Sequence, residues 1–182
     1  IAASIKRGLS IYGARLFVPT SDAHVVALDV KTGKVVWDTA IADPKQGYRV
    51  TGGTLVARGM VMVGTTGRAP GGNVIVALDT QTGKEAWRFH TSPGAGEPGD
   101  ETWGGLPVDQ RRAAAWGLPG SYDAQRRLLY WGIANPMPNT RAERHGGNVD
   151  AVPRQAPANL YSNSTVALQP DTGKLVWHYQ HL

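Results

Sequence analysis

The 182-residue chain contains no cysteine. This excludes a disulfide framework and thiolate metal sites within it. No signal peptide or membrane-spanning apolar run is visible either. The five histidines are scattered without the spacing of a metal-binding motif. The sequence begins at Ile1 rather than at a methionine and stops directly after a strand-like run, so we expect it to be part of a longer chain.

Acidic residues are outnumbered, with 14 Asp and Glu against 19 Lys and Arg and a formal net charge of +5. The arginines cluster at predicted turns, over 111–112, 126–127 and 141–144. Charge distributed in this way is typical of a solvated surface that can meet an acidic partner. We therefore predict no nucleic-acid partner.

One phrase of the form Ala-Leu, Thr-Gly-Lys and Trp occurs three times, over 27–37, 77–87 and 167–177. A phrase repeated this faithfully indicates one supersecondary unit copied along the chain. The glycine supplies the positive φ of a hairpin turn, and neighbouring Asp and Thr oxygens bind the turn amides. The closing tryptophan is predicted to pack between neighbouring units. The turn glycines are Gly33, Gly83 and Gly173, and the closing tryptophans are Trp37, Trp87 and Trp177. The side chains that bind the turn amides are Asp29, Asp79, Thr32, Thr82 and Thr172.

Two more strand-like runs precede each phrase, so the repeated unit has four strands. Four antiparallel strands at a period near fifty residues are typical of a β-propeller blade. A flat β-sandwich is the alternative, but sandwiches do not repeat a turn phrase in this way. The predicted strands cover 9–12, 15–20, 24–29 and 35–40, then 54–57, 60–65, 74–79 and 85–90, and finally 120–123, 128–134, 164–168 and 175–180.

The predicted fold class is therefore all-β, a partial β-propeller over 1–182 with no second domain. Its three blades span about 8–40, 51–90 and 116–182. Three blades cannot close a ring, and ring closure is how propellers protect their strand edges. Two long irregular segments, 91–118 and 135–163, interrupt the third unit. Loops of this length in a compact repeat are where we look for function.

The residues that flank the inner strands of a blade converge near the propeller axis. They bring a guanidinium, hydroxyls, a flat aromatic ring and an amide oxygen to one end of the axis, which we call the mouth. Such groups suit a planar polyanionic ligand together with a hard cation. The residues before the first strands are Arg7, Thr51 and Trp116, and those after the second strands are Thr66, Gly67, Arg68 and Asn135.

Over its whole length the chain resembles the pyrroloquinoline quinone (PQQ)-dependent alcohol dehydrogenases, a family of periplasmic eight-bladed propellers. The three tryptophan phrases look like the motif that docks neighbouring blades in this family. The Arg7-Gly8-Leu9 segment is similar to its Arg-Gly motif, whose arginine binds the quinone carbonyl. The segment from Tyr130 to Pro136 resembles the stretch whose asparagine ligates calcium.

The resemblance implies two cofactors, PQQ and calcium, and assigns residues to each. Asn135 would be a calcium ligand, and the catalytic aspartate would lie beyond Leu182, so no catalytic residue is expected within this chain. Ala69 stands where the family has a calcium-binding glutamate, and Arg68 precedes it, which removes an anionic ligand from the metal site. The implied cofactor-binding residues are Arg7, Thr51, Thr66, Gly67 and Trp116.

By resemblance, the function is the oxidation of an alcohol or a sugar by hydride transfer to the quinone. Electrons would pass to a cytochrome c or a membrane quinone, and the enzyme would be periplasmic. The fragment alone is expected to be inactive. The alternative is a non-catalytic propeller of the same repeat type that serves as a scaffold in outer-membrane protein assembly. A scaffold has no reason to place Arg7, Trp116 and Asn135 at one mouth.

Overall fold

The computed structural model describes residues 8–115, 117–144, 147 and 159–181. Nearly all regular structure is β-strand, and no helix among these residues is long and apolar enough to cross a bilayer. Within these residues, three short 3-10 turns cover Pro44–Gln46, Asp100–Trp103 and Val108–Gln110, and one α-helix, α1, covers Arg141–Arg144. Arg7 and Trp116 lie outside the described residues.

The strands form three successive antiparallel sheets and one small two-stranded ladder. The first sheet contains β1 (Ser10–Tyr12), β2 (Arg15–Pro19), β3 (His24–Asp29) and β4 (Val35–Ala40). The ladder pairs β5 (Tyr48–Arg49) with β8 (Thr66–Gly67). The second sheet contains β6 (Leu55–Ala57), β7 (Met60–Gly64), β9 (Val74–Asp79) and β10 (Glu85–His90). The third contains β11 (Arg112–Ala115), β12 (Ser121–Asp123), β13 (Leu128–Met137), β14 (Ser164–Leu168) and β15 (Leu175–Gln180).

The second sheet is buried on both faces. Alternate residues along a strand point to opposite faces, and here each face meets a different neighbour. Val61, Val63 and Val76 pack in a cluster with Phe17 of the first sheet. Met62, Ile75 and Ala77, also from β7 and β9, pack in a cluster with Trp131 and other residues of the third sheet. The three sheets are therefore stacked face to face in chain order.

The tryptophans that end the first two phrases each dock onto the turn of the next phrase. The Trp37 Nε1 donates to the Thr80 carbonyl oxygen at 3.2 Å, and the Trp87 Nε1 donates to the Pro170 carbonyl oxygen at 2.8 Å. Trp87 is only 7% exposed. Packing of Trp37 and Trp87 between consecutive sheets is confirmed, whereas Trp177 remains 42% exposed within this chain.

The glycine of the turn is required for two separate reasons. Gly83 and Gly173 have φ of 71° and 69°, a left-handed conformation that side chains rarely adopt. In addition, a Cβ on Gly83 would lie 2.7 Å from the Trp37 ring, and one on Gly173 would overlap the Trp87 ring. The predicted carboxylate contacts are confirmed too, because the Asp79 carboxylate accepts hydrogen bonds from the Gln81 and Thr82 amides.

The third sheet corrects the predicted strands. β11 lies inside the segment 91–118 that the sequence predicts to be irregular, and β13 continues to Met137 rather than ending near 134. Both β11 and β12 pair with β13, at its two ends. The sequence around β11 contains three consecutive alanines, which have low strand propensity, so pairing with β13 determines this strand.

The expectation that the arginine clusters are solvated is wrong for two members. Arg111 is 4% exposed and pairs with Asp100 at 2.5 Å, and Arg144 is 7% exposed and donates to the Pro138 carbonyl oxygen. A hydrogen bond from the Gly96 amide, followed by the Arg111 guanidinium, lowers the pKa of Asp100. These contacts lie within the two long connections of the third unit and hold each of them together.

Candidate cofactor-binding site

The beginnings of the three sheets meet through closely approaching glycines. A Cβ on Gly8 would lie 3.7 Å from the Gly53 Cα, and a Cβ on Gly52 would lie 3.4 Å from the Gly117 backbone. Gly8 precedes β1, Gly52 and Gly53 precede β6, and Gly117 lies between β11 and β12. Convergence of these segments was predicted from the propeller geometry and is confirmed for the described residues.

A depression of about 360 Å³ lies at this convergence. It gathers three of the residues predicted to bind the cofactor, and it adds residues from the third sheet that sequence reasoning did not single out. Asn135 is absent from its lining. The lining residues are Thr51, Thr66, Gly67, Arg68, Asn73, Arg112, Ala114, Gly117 and Met137.

The ladder of β5 and β8 positions the segment after β7. Arg49 is opposite Thr66, and Tyr48 is opposite Gly67. The Thr66 Oγ1 donates to the Arg49 carbonyl oxygen at 3.4 Å. Gly67 has φ of 107°, and a Cβ there would overlap the Gly47 carbonyl oxygen. Glycine is therefore required at this position for the backbone to form the wall of the depression.

Asn73 closes the same loop from its other end. Its side chain is fully buried, and its Nδ2 donates to the Gly67 carbonyl oxygen at 3.2 Å. Its Oδ1 accepts from the Thr65 Oγ1 at 3.2 Å, and the Thr65 Oγ1 in turn accepts from the Val74 amide at 2.9 Å. One asparagine thus fixes both ends of the loop over 65–73. The sequence signal was only an asparagine directly before a strand.

The structure places Asn135, the predicted calcium ligand, in a neighbouring depression of about 450 Å³. That depression also contains Asn163 and His181. Met137 follows Asn135 on β13 by two residues and lines the depression that contains Thr51. The two hollows are thus separated by the end of one strand, and the described residues do not bring Asn135 together with Thr51 and Thr66.

The residues lining the first depression do not suit a divalent cation. Ala69, which the sequence resemblance aligns with a metal-binding glutamate, is completely buried. The lining contains two arginines and no carboxylate. Across the described residues, no group of three or more His, Cys, Asp or Glu side chains could hold a metal ion. Hard cations prefer carboxylate and carbonyl oxygens, whereas this lining presents positive charge.

The family described as "PQQ: Glucose/ethanol/alcohol dehydrogenase, beta-propeller domain" matches residues 43–182. The chain belongs to this family. The description "Outer membrane protein assembly factor BamB" also matches, over the shorter range 2–69.

Individual relatives agree with this membership. The chain is 38% identical over 196 residues to the quinohemoprotein alcohol dehydrogenase ADH IIB of Pseudomonas putida, which covers 97% of this chain and 26% of the relative. The solved structure of quinohemoprotein alcohol dehydrogenase ADHIIG from Pseudomonas putida HK5 superimposes with a TM-score of 0.83 at 33% identity, covering 97% of this chain and 26% of that one. A europium-containing methanol dehydrogenase gives a TM-score of 0.79 at 31% identity, covering 97% and 32%.

These relatives confirm the β-propeller fold class. The chain spans about a quarter of the length of the first curated relatives that it matches. It therefore forms part of a β-propeller of this family, and the stacked sheets described above are its blades.

Proposed function

We propose that the protein to which this chain belongs is a quinoprotein dehydrogenase that oxidises alcohols, and that these three blades supply one wall of its PQQ site. The observation that carries the proposal is the common depression lined by Thr51, Thr66 and Gly67. All three were selected from the sequence as cofactor-binding residues. Family membership and relatives named as alcohol dehydrogenases support the same function.

The contribution of this chain is to bind and orient the cofactor. Thr51 and Thr66 offer hydroxyl groups to its carboxylates, and the backbone at Gly67 allows close approach. Arg7 and Trp116 immediately precede Gly8 and Gly117, two of the glycines at the convergence. We assign Arg7 to the quinone carbonyl and Trp116 to the floor under the ring. When bound, the quinone supplies a hydride acceptor for the alcohol carbon.

The remaining features of the proposal follow from the family and concern the full-length protein. The substrate is a primary or secondary alcohol, with sugars as the second possibility. The electron acceptor is a cytochrome c or a membrane quinone, and the compartment is the periplasm. The proton acceptor is a carboxylate outside this chain. No step is assigned to a metal, because the residues lining the depression do not suit one.

Reduction of an electron-accepting dye by the full-length protein tests the proposal. We expect dye reduction with an alcohol only after PQQ has been added. Thr66→Val should raise the PQQ concentration needed for half-maximal rate, because a hydroxyl group that contacts the cofactor is lost. Thr32→Val is the matched control, since Thr32 lies in the exposed turn between β3 and β4. A full-length protein that binds no PQQ would overturn the proposal.

A non-catalytic scaffold is the second candidate, favoured by the match to the assembly factor over 2–69. That range includes the first tryptophan phrase and ends before most of the residues that complete the depression. A scaffold of this kind would bind no quinone and would co-purify with outer-membrane assembly partners. The PQQ titration described above therefore separates the two candidates.

A further inference from the structure

We propose that Arg68 and Arg112 bind the carboxylates of the quinone directly, so that cofactor binding to this protein does not depend on a divalent cation. This inference rests on the proposed function, because it concerns the same depression. It differs from the metal-bridged arrangement implied by the family resemblance, in which a glutamate would stand at Ala69.

The first observation is the charge of the depression. Its lining contains two guanidinium groups, three neutral polar side chains at Thr51, Thr66 and Asn73, and no acidic residue. Among the described residues, no carboxylate lies within ion-pair distance of Arg68 or Arg112, although six other pairs are formed elsewhere. The local charge is therefore available to a ligand, and an anion is the ligand that it favours.

The second observation is the contact that brings the two arginines together. The Arg112 Nε donates to the Arg68 carbonyl oxygen at 3.1 Å. This hydrogen bond ties β11 of the third sheet to the loop after β7 in the second. It uses the Nε group and leaves the two terminal nitrogens of Arg112 for other acceptors. A guanidinium presents its remaining donors as a planar fork, which matches the geometry of a carboxylate.

The third observation is that a metal ligand cannot simply be restored at Ala69. Its side chain is fully buried, and its amide nitrogen lies close to Gly47, where a Cβ would approach it at 3.4 Å. A glutamate at this position would bury a carboxylate beside packed backbone, which is costly without a partner. An added carboxylate at this position would by itself favour calcium binding. The observed packing predicts destabilisation instead.

Equilibrium binding of PQQ to the cofactor-free full-length protein tests the inference, with tryptophan fluorescence as the readout. Titrations are run in excess EDTA and in saturating calcium. We expect dissociation constants that agree within about threefold between the two conditions. Combined Arg68→Ala and Arg112→Ala should weaken binding by about tenfold or more in both, because two charge-assisted contacts are lost.

Controls separate charge from folding. Combined Arg126→Ala and Arg127→Ala removes two exposed charges at the turn between β12 and β13, and it should leave the PQQ affinity unchanged. Since Arg112 also holds the Arg68 backbone, Arg68→Ala alone tests the charge while keeping that hydrogen bond. The trimethyl ester of PQQ, which lacks the carboxylate charges, should bind the parent and the double variant equally.

The outcomes are distinct. PQQ binding that disappears in EDTA, together with unchanged affinity of the arginine variants in calcium, would overturn this inference and leave the proposed function intact. Failure of the parent protein to bind PQQ in either condition would overturn the proposed function and the inference with it. Metal-independent binding that is weakened by the arginine substitutions alone, and not by the control pair, would establish it.

Discussion

Some residues shape the candidate site by holding the backbone in place, while others present the groups that contact the ligand. Asn73 is the main example, since it joins Thr65 to the Gly67 carbonyl oxygen across the loop. Gly67 is required because it has no side chain, since a Cβ there would overlap the Gly47 carbonyl oxygen. The positions of Thr66 and Arg68 therefore depend on Gly67, which lies between them, and on Asn73 at the end of the loop.

We expect Asn73→Ala to lower the free energy of unfolding by about 1 to 3 kcal/mol, because the Gly67 carbonyl oxygen loses its buried donor. PQQ affinity should fall as well, since Thr66 and Gly67 lose their fixed position. Thermal and denaturant unfolding measure the first effect, and fluorescence titration measures the second. Asn139→Ala, at an exposed asparagine, should change neither quantity. Wild-type stability in the Asn73 variant would show that the loop is held in another way.

At the residue scale, the sequence identifies site residues that flank predicted strands. It misses those whose place depends on pairing between distant strands. Thr51, Thr66 and Gly67 could be selected because they flank short, continuous apolar runs that are readily predicted to be strands. Arg112 could not, since its place in the depression requires β11, whose alanines give no strand signal of their own. Asn135 was grouped with the others because it follows a predicted strand, but β13 continues past it.

At the scale of elements, each sheet is joined to the next where a tryptophan of one phrase contacts the Thr-Gly-Lys turn of the following phrase. The same phrase supplies a tryptophan at one end and a glycine that receives the preceding tryptophan at its turn. Gly33 differs from Gly83 and Gly173 in this chain, since no atom lies within 4 Å of a Cβ built on it. The three turn glycines share a left-handed conformation, but only Gly83 and Gly173 contact a tryptophan ring. Comparing substitutions at Gly33 and Gly83 therefore isolates the effect of the ring contact.

Gly83→Ala should destabilise the chain more than Gly33→Ala. Both substitutions carry the cost of a left-handed alanine, about 1 to 2 kcal/mol. Only Gly83→Ala also forces a methyl group against the Trp37 ring, which adds about 1 to 3 kcal/mol of overpacking. Denaturant unfolding of the two variants measures the difference. Equal losses would mean that the Trp37 contact with the turn contributes nothing to the specificity of docking.

The aspartates of the first two turns predict a loss of stability in acid. Hydrogen bonds from the Thr82 side chain and amide lower the pKa of Asp79 below its ordinary value, and those from Thr32 do the same for the pKa of Asp29. A lowered pKa in the folded state means that the stabilisation is present above the unfolded pKa and is lost as the pH falls through the folded one. Unfolding between neutral pH and about pH 2 should show this loss.

Asp79→Asn should reduce the loss of unfolding free energy between neutral and acidic pH. At neutral pH the variant should be less stable than the parent. The third turn provides a natural control, because Gln169 stands at the position of the aspartate. Gln169→Asn should not alter the pH dependence. If the loss of stability in acid is unchanged in Asp79→Asn, it comes from other carboxylates. One of these is Asp171, whose pKa is lowered by Arg58.

At the scale of the whole molecule, burial is greatest in the middle sheet. All residues of β9 except Asp79 are buried, whereas buried and half-buried residues alternate along β3. The sequence already indicates this, since β9 reads as a continuous apolar run and flanking sheets cover both of its faces. What the sequence could not show is which residue meets which sheet, because that depends on the register between β7 and β9.

Hydrogen exchange should follow this order. We expect the amides of β9 to exchange most slowly and those of β1, at the edge of the first sheet, to exchange fastest among the strands. Mass spectrometry of deuterated peptides measures both. Protection that is equal in β1 and β9 would indicate that the sheets unfold as one unit.

The most direct test of the account is a crystal structure of the full-length protein with PQQ bound. The central claim is that the depression of about 360 Å³ between the second and third sheets is one wall of the cofactor site. We predict electron density for the quinone against Thr51, Thr66 and Gly67, with its carboxylates within hydrogen-bond distance of Arg68 or Arg112. Density for the quinone at the opposite end of the sheets, beside the turns of Gly83 and Gly173, would contradict it.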